Sequence, residues 1–321
     1  MGPAVLFIQL GTPAAPTAPA VRDYLAEFLS DPRVVDLPRL PWWLLLHGVI
    51  LRTRPDRSAA LYRAIWRADG TSPLLHHSRQ QALGVAQALG GTVAVDLAMR
   101  YGQPALADRL QHLLDHHDRL LVFPLYPQYA GSTTGSTLEA VSRILTRRRV
   151  IPALRWAGPF HDHPAYIQAL AVTVGPVLTP EDHLLLSFHG LPQRHVDQGD
   201  PYAHQCRSTA ERLAQALALT EDRWSMAFQS RFGRDQWLQP ATDALLRDLP
   251  RQGRRHLVVA CPGFVADCLE TLEEIGRQGR ETFLQAGGAS FRMVPCLNDH
   301  PQWLAALAAL VRQELAGWLE T

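Results

Sequence analysis

The chain is 321 residues long, too long for one small core and suited to two domains of ordinary size. A net charge of +1 leaves no electrostatic argument for nucleic acid as a partner. Lysine is absent, so every long basic side chain is arginine; that suits fixed two-pronged contacts with carboxylates, and genomic composition explains it equally well.

The N-terminus, Met1 to Pro13, lacks the charged leader and long apolar segment of a secretory signal. No window offers the roughly eighteen uninterrupted apolar residues of a membrane span. The expected location is therefore cytoplasmic, with any contact to the inner membrane face peripheral. Val5 to Leu10 reads as a strand ending at Gly11-Thr12-Pro13. Val21 to Leu29 has helical periodicity, with Val21, Leu25, Phe28 and Leu29 on one side. Pro41 to Leu51 is unusually apolar and too short to cross a bilayer as a helix. One reading makes it a buried helix. The other makes Trp42–Leu51 an exposed lip that meets a flat hydrophobic ligand or a membrane surface.

Leu61 to Ala68 and Pro73 to Leu89 are expected helices. Val93 to Met99 is a strand ending at Arg100-Tyr101-Gly102, Ala105 to Leu114 a helix, and Leu120 to Phe123 a strand. The last of these opens into Pro124-Leu125-Tyr126-Pro127-Gln128-Tyr129-Ala130-Gly131-Ser132-Thr133-Thr134-Gly135-Ser136 and a helix to Arg147. The second half repeats this rhythm. Strands are expected at Leu184–Ser187, Trp224–Phe228 and His256–Ala260, with helices at Tyr166–Val174, Cys206–Leu217, Thr242–Leu249, Cys268–Ile275 and Pro301–Leu319. Alternating strands and helices with short connections imply parallel βαβ units. The expected fold class is α/β: two Rossmann-like doubly wound domains with parallel sheets facing a central cleft. The expected division is 1–155 with the apolar lip, then 156–302 with His189 and Glu270, and a C-terminal helix, 303–321, packing back on the first domain.

Several loops carry chemistry. His189 stands where a buried strand spills into Gly190-Leu191-Pro192, the edge at which open α/β sheets gather their reactive groups. The loop continues to Gly199-Asp200-Pro201-Tyr202. The Gly/Ser/Thr loop after Tyr126 offers backbone N–H groups to an anion, so a nucleotide site is its natural rival. It is neither GxxxxGK[ST] nor GxGxxG, and a helix capped by Ser132 or Thr133 is the plainer alternative. Asp267 and Glu270 have capping-box spacing, which makes Glu270 helix-start chemistry on one reading. On the other, Asp267, Glu270 and Glu274 share a helix face as a carboxylate ridge that calls for water or a cation. Trp237 fits either a core or an aromatic wall. Cys206, Cys261, Cys268 and Cys296 form no CxxC pair and read as free thiols of a reducing compartment.

Ser187-Phe188-His189-Gly190-Leu191-Pro192 with GDPY, the string YPQYAGSTTGS, Phe228 to Gly233 with Trp237 to Asp243, FVADCLETLEE from Phe264 to Glu274, and Leu10-Gly11-Thr12-Pro13 together resemble ferrochelatase, the family that inserts ferrous iron into a porphyrin. These motifs stand in family order from residue 5 to about residue 300. The chain departs from the family at Ala130-Gly131, where Ser-Cys is frequent, and at Cys268, where a histidine is frequent, so no ligand role transfers to Cys268. The resemblance implies a chelatase-like fold and protoporphyrin IX as substrate, with coproporphyrin III or another tetrapyrrole chelation as the alternative. It implies His189 and Glu270 as the metal-presenting and proton-abstracting pair, Asp267 and Glu274 as an auxiliary polar lane, and Leu10, Arg100, Tyr126, Tyr129, Ser132, Thr133, Trp237 and Phe264 as substrate-binding positions. It implies that the apolar lip meets ligand or membrane and that no cofactor is needed beyond substrate Fe2+. No iron–sulfur cluster is expected, because no cysteine-rich C-terminal extension is present, and the oligomeric state is left open with a monomer as one form. A secreted ligand-binding protein would want a signal sequence, and a nucleotide-dependent transferase would want a phosphate fingerprint and a magnesium carboxylate.

Overall fold

A computed structural model describes residues 2–233 and 235–319. The chain divides into two compact units: Met1–Tyr126, Ala130–Gly158 and Leu304–Thr321 form one, and Pro127–Tyr129 with Pro159–Trp303 form the other.

In the first unit, β1 (Ala4–Thr12), β2 (Ala94–Gly102), β3 (Arg119–Pro124) and β4 (Ala153–Trp156) make a parallel sheet in the order β2-β1-β3-β4. β1 is a nearly unbroken run of buried apolar side chains, the signature of a strand covered on both faces. Its register sets Gly11 opposite Tyr101. A Cβ at Gly11 would lie 1.9 Å from the Tyr101 carbonyl oxygen, and the residue has φ +125°, so only glycine fits there. One core cluster packs Leu6 and Ile8 of β1 and Val122 of β3 against Leu110 and Val141 of flanking helices. Burying each such aliphatic side chain contributes about 2 kcal/mol. At the other end of the chain Arg155 donates to the carbonyls of Glu314 and Ala316 and stacks on Trp318, within the same unit.

In the second unit, β5 (His183–His189), β6 (Trp224–Gln229), β7 (His256–Ala260) and β8 (Ser290–Met293) repeat the pattern in the order β6-β5-β7-β8. Leu185, Ala227 and Val259 of this sheet pack on Leu246, Ile275 and Phe283. In each sheet the chain leaves the founding strand on one side and returns on the other. The switch points therefore lie beyond the ends of β1 and β3, and of β5 and β7, where doubly wound sheets bind ligands.

Three expectations need correction. β4 and β8 carry no apolar run, being short and half-exposed edge strands, so hydrophobic pattern alone passes them by. The helix expected at Leu61–Ala68 runs instead over Leu51–Ile65 with Pro55 inside it, following a π turn at Leu46–Ile50. Pro55 stands inside this continuous helical stretch, where its missing N–H removes one i→i−4 hydrogen bond. The Cys268–Ile275 helix is largely π-wound, over Glu270–Gly279, and continues as an α-helix to Gln285.

The apolar stretch is two-faced. Trp42, Leu46 and Leu51 are buried, with Trp42 Nε1 donating to the Leu29 carbonyl at 2.7 Å. Leu40, Trp43, Leu44 and Val49 are each more than half exposed. Among the described residues no helix is long and apolar enough to cross a membrane.

Candidate active site

β5 delivers His189 to its C-terminal end, half-buried, and Gly190 turns the chain. A Cβ at 190 would come within 2.8 Å of the Gln229 carbonyl and 3.1 Å of the Trp237 ring, so the turn needs glycine. Trp237 is buried behind this loop, Nε1 donating to the Phe232 carbonyl at 2.9 Å. His189 Nδ1 lies 2.7 Å from the Gly190 carbonyl oxygen. A carbonyl can only accept, so Nδ1 carries the proton and Nε2 presents a lone pair.

The segment after β7 supplies the carboxylates. Asp267 is buried and precedes the helix rather than lying on it. Its Oδ1 accepts from Thr271 Oγ1 at 2.9 Å, its Oδ2 from Asn298 Nδ2 at 2.7 Å, and its own N–H donates to Asn298 Oδ1 at 2.8 Å. The capping box suggested by D-x-x-E spacing is not formed, because Thr271 and Asn298 take its place. The three-carboxylate α-helical ridge is not formed either. Asp267 is turned into a structural link, while Glu270 and Glu274, four apart on a π turn closed by i→i+5 bonds, lie nearly one above the other.

Gln229 and Ser230, at the end of β6, complete this group. Neither was singled out as a site residue in the sequence, although both lie in the Phe228–Gly233 motif and at a strand end. Gln229 is buried, its Nε2 donating to the Glu270 carbonyl at 3.0 Å and its Oε1 accepting from Ser187 Oγ at 2.7 Å. Ser230 grips Glu274 twice, from its backbone N–H at 2.7 Å and its hydroxyl at 2.6 Å. It does so in the left-handed region, φ +63°, which costs about 1–2 kcal/mol for a residue with a Cβ. Burial pushes the Glu274 carboxyl up; Ser230 and the positive charge available to His189 pull it back, and Glu270 adds to the rise. Glu274 thus responds electrostatically to both His189 and Glu270. A cavity of about 430 Å³, bounded by Glu274, Ser230, Trp237, Thr242 and Gln278, adjoins it. Phe264 is half-buried against the second core.

All four cysteines are buried and unbridged, and burial pushes every thiol up, Cys268 further through the neighbouring Glu270. Protonated thiols are poor ligands. Among the described residues no three His, Cys, Asp or Glu side chains stand ready to enclose an ion. The stretch offers one imidazole nitrogen and two carboxylates.

In the first unit, the sheet's C-terminal edge carries Leu10, half-buried at the end of β1, and Arg100 beside it on β2. After β3, Tyr126 is buried, and Gly131–Gly135 form a π turn in which no side chain caps the helix. Ser132 and Thr133, expected as possible N-caps, are half-buried, and Thr133 Oγ1 lies 3.4 Å from the Ala130 carbonyl. Tyr129 falls in the second unit, its N–H donating to Gln205 Oε1 at 2.7 Å.

A family model described as Ferrochelatase matches residues 2–315. The chain is 50% identical to a ferrochelatase of Chromobacterium violaceum, over 98% of this chain and 89% of that one. It is also 50% identical to a ferrochelatase of Nitrosococcus oceani, over 98% and 88%. Among solved structures it is similar to SirB from Bacillus subtilis with Fe3+, at TM-score 0.59 and 13% identity, over 99% of this chain and 97% of that one.

Proposed function

This chain belongs to the ferrochelatase family, whose enzymes act on a porphyrin and ferrous iron, and from that premise we propose which of its residues perform the insertion and on which porphyrin. Two pyrrole protons leave the ring as one divalent ion enters, so the metallated ring stays neutral. The reaction therefore needs a base, a loose hold on iron and a grip that bends the macrocycle to expose its nitrogen lone pairs.

His189 is the base or metal-presenting group, through Nε2, whose lone pair is left outward by the Nδ1 bond to Gly190. Glu270 is its partner. Glu274 receives protons from this pair, being a half-buried carboxyl whose surroundings favour the protonated form. Asp267 serves by fixing the start of the π-helix rather than by carrying protons. Nitrogen and carboxylate donors in small number suit iron that must be handed on. In the first unit, Leu10, Arg100, Ser132 and Thr133 hold the porphyrin, and Tyr126 shapes the loop. Tyr129 and Phe264 are the further aromatic binding positions. The YPQYAGSTTGS and SFHGLP strings favour protoporphyrin IX over coproporphyrin III. The exposed face of the lip, Leu40, Trp43, Leu44 and Val49, makes peripheral contact with a membrane surface.

What supports this reading is geometry at the strand ends: His189 Nδ1 is tied to the Gly190 carbonyl while Ser230 holds Glu274 through two hydrogen bonds. Anaerobic insertion of ferrous iron, followed by porphyrin absorbance with both porphyrins side by side, tests it. His189→Ala should lose at least about a hundredfold in turnover while melting like the parent. Turnover within a few-fold of the parent would remove His189 from the mechanism. Faster reaction with coproporphyrin III would keep the mechanism and change the substrate.

A further inference from the structure

A buried carboxylate that the mechanism above does not use sits behind Arg100. Asp31 follows the helix Ala18–Ser30 and is 8% exposed. Its Oδ2 accepts from Arg100 Nη2 at 2.6 Å, from Ser136 Oγ at 2.6 Å and from Tyr101 OH at 2.8 Å. Its Oδ1 accepts from the Arg33 backbone N–H at 2.8 Å. Ser136 Oγ accepts in turn from Arg100 Nε at 2.9 Å, and the guanidinium carbon lies 4.4 Å from the Tyr101 ring centroid. Tyr101 OH and Ser136 Oγ also lie 3.0 Å apart, so the two hydroxyls and the Asp31 carboxylate form one closed hydrogen-bonded group.

The geometry has one consequence for Arg100. Its Nε and Nη2 edge is taken by Ser136 and Asp31, and its face rests on Tyr101. The side chain is 17% exposed, and among the described residues Nη1 has no protein acceptor. A guanidinium is a rigid planar fork, so holding one edge aims the other. We propose that Asp31 is a positioning residue for substrate binding, locking Arg100 so that its Nη1 edge meets a carboxylate of the porphyrin. This rests on the reading of Arg100 as a substrate-binding residue. Ser136 is the second half of the lock, and the Arg33 N–H keeps the Asp31 carboxylate from rotating.

Removing Asp31 outright leaves a guanidinium poorly compensated in a buried place, so the isosteric Asp31→Asn is the informative change, with Ser136→Ala as a milder one. The readouts are KM and kcat for the porphyrin at saturating ferrous iron, with thermal unfolding of each variant. Asp31→Asn should raise KM roughly tenfold, the size of one misplaced charged hydrogen bond, and lower kcat by much less. Ser136→Ala should raise KM about threefold, and it carries the test if Asp31→Asn does not fold. In an Arg100→Ala background Asp31→Asn should raise KM no further, because the lock then has nothing to hold. A merely structural Asp31 would instead lower the active fraction, reducing apparent kcat with KM unchanged, and that result overturns the proposal. If Arg100→Ala raises KM while Asp31→Asn and Ser136→Ala do not, the role of Asp31 falls and that of Arg100 stands. If Arg100→Ala leaves KM unchanged, both fall.

Discussion

Glu274 sits where folding disfavours its ionised form. Burial and the charge of Glu270 raise its carboxyl above the ordinary carboxylate range, and Ser230 restrains the rise from a strained backbone position. A group whose pKa is raised on folding stabilises the native state fully below its unfolded pKa. That contribution is lost as pH rises through the folded value. At pH 8 the ionised, half-buried carboxylate is therefore a liability, and Glu274→Gln should melt no lower than the parent. If Glu274 takes protons from the His189–Glu270 pair, the same variant should lose about tenfold or more in kcat, and the acid limb of its kcat/KM profile should move. An acid limb superimposable on the parent's would sink the relay. None of this was legible in the sequence. The left-handed Ser230 and the Gln229 amide beneath Glu270 join residues about forty positions apart, a distance no local pattern spans.

Elements were legible in proportion to their burial. β1, β3, β5 and β7 sit inside their sheets and are written as apolar runs, whereas β4 and β8 flank them, half-exposed and without a run. Positions where strands spill into loops were legible too, which is why His189 stood out. Winding was not. A π turn is decided by which carbonyl an N–H reaches, so the Glu270–Gly279 stretch reads as an ordinary helix, and Asp267 with it. The lip shows the same limit, because an all-apolar run conceals which side is out. With Trp42 and Leu46 inward and Trp43 and Leu44 outward, changing the outward pair should leave stability within about 0.5 kcal/mol. Two exposed apolar side chains contribute about 2–3 kcal/mol to interfacial binding, so Trp43→Ser with Leu44→Ser should weaken co-sedimentation with anionic phospholipid vesicles at least tenfold. Undiminished co-sedimentation would rule out this face as the membrane contact.

For the molecule as a whole, near-neutral charge and solvent-exposed ion pairs such as Arg143–Glu139 leave little net electrostatic stability at the surface. The response to acid then falls to the few buried titratable groups. β5 carries one of them, His183, at its N-terminal end. His189, at the C-terminal end, keeps an accessible nitrogen. His183, six residues away at the N-terminal end, is 5% exposed, with Nε2 2.8 Å from Ser225 Oγ and Nδ1 without a hydrogen-bond partner. Burial, with the nearby Arg254 and Arg223 charges, pushes the His183 imidazole from 6.5 down to about 4. Below pH 6.5 the unfolded chain binds a proton there that the native chain refuses, so stability present above pH 6.5 drains away toward pH 4. Between pH 7 and pH 5 this one site should remove on the order of 2 kcal/mol. His183→Gln, which titrates in neither state, should show a shallower loss in urea denaturation across that interval. It should also turn over like the parent, because about 20 Å of strand separates it from His189. An unchanged pH slope in His183→Gln would move the acid sensitivity to other groups. Asp31 is the next candidate: burial opposes its ionisation, yet Ser136, Arg33, Tyr101 and Arg100 hold it below the carboxylate range. Its contribution persists above that range and is lost only as pH falls through its lowered value, so the two groups are distinguished by the pH at which stability begins to fall.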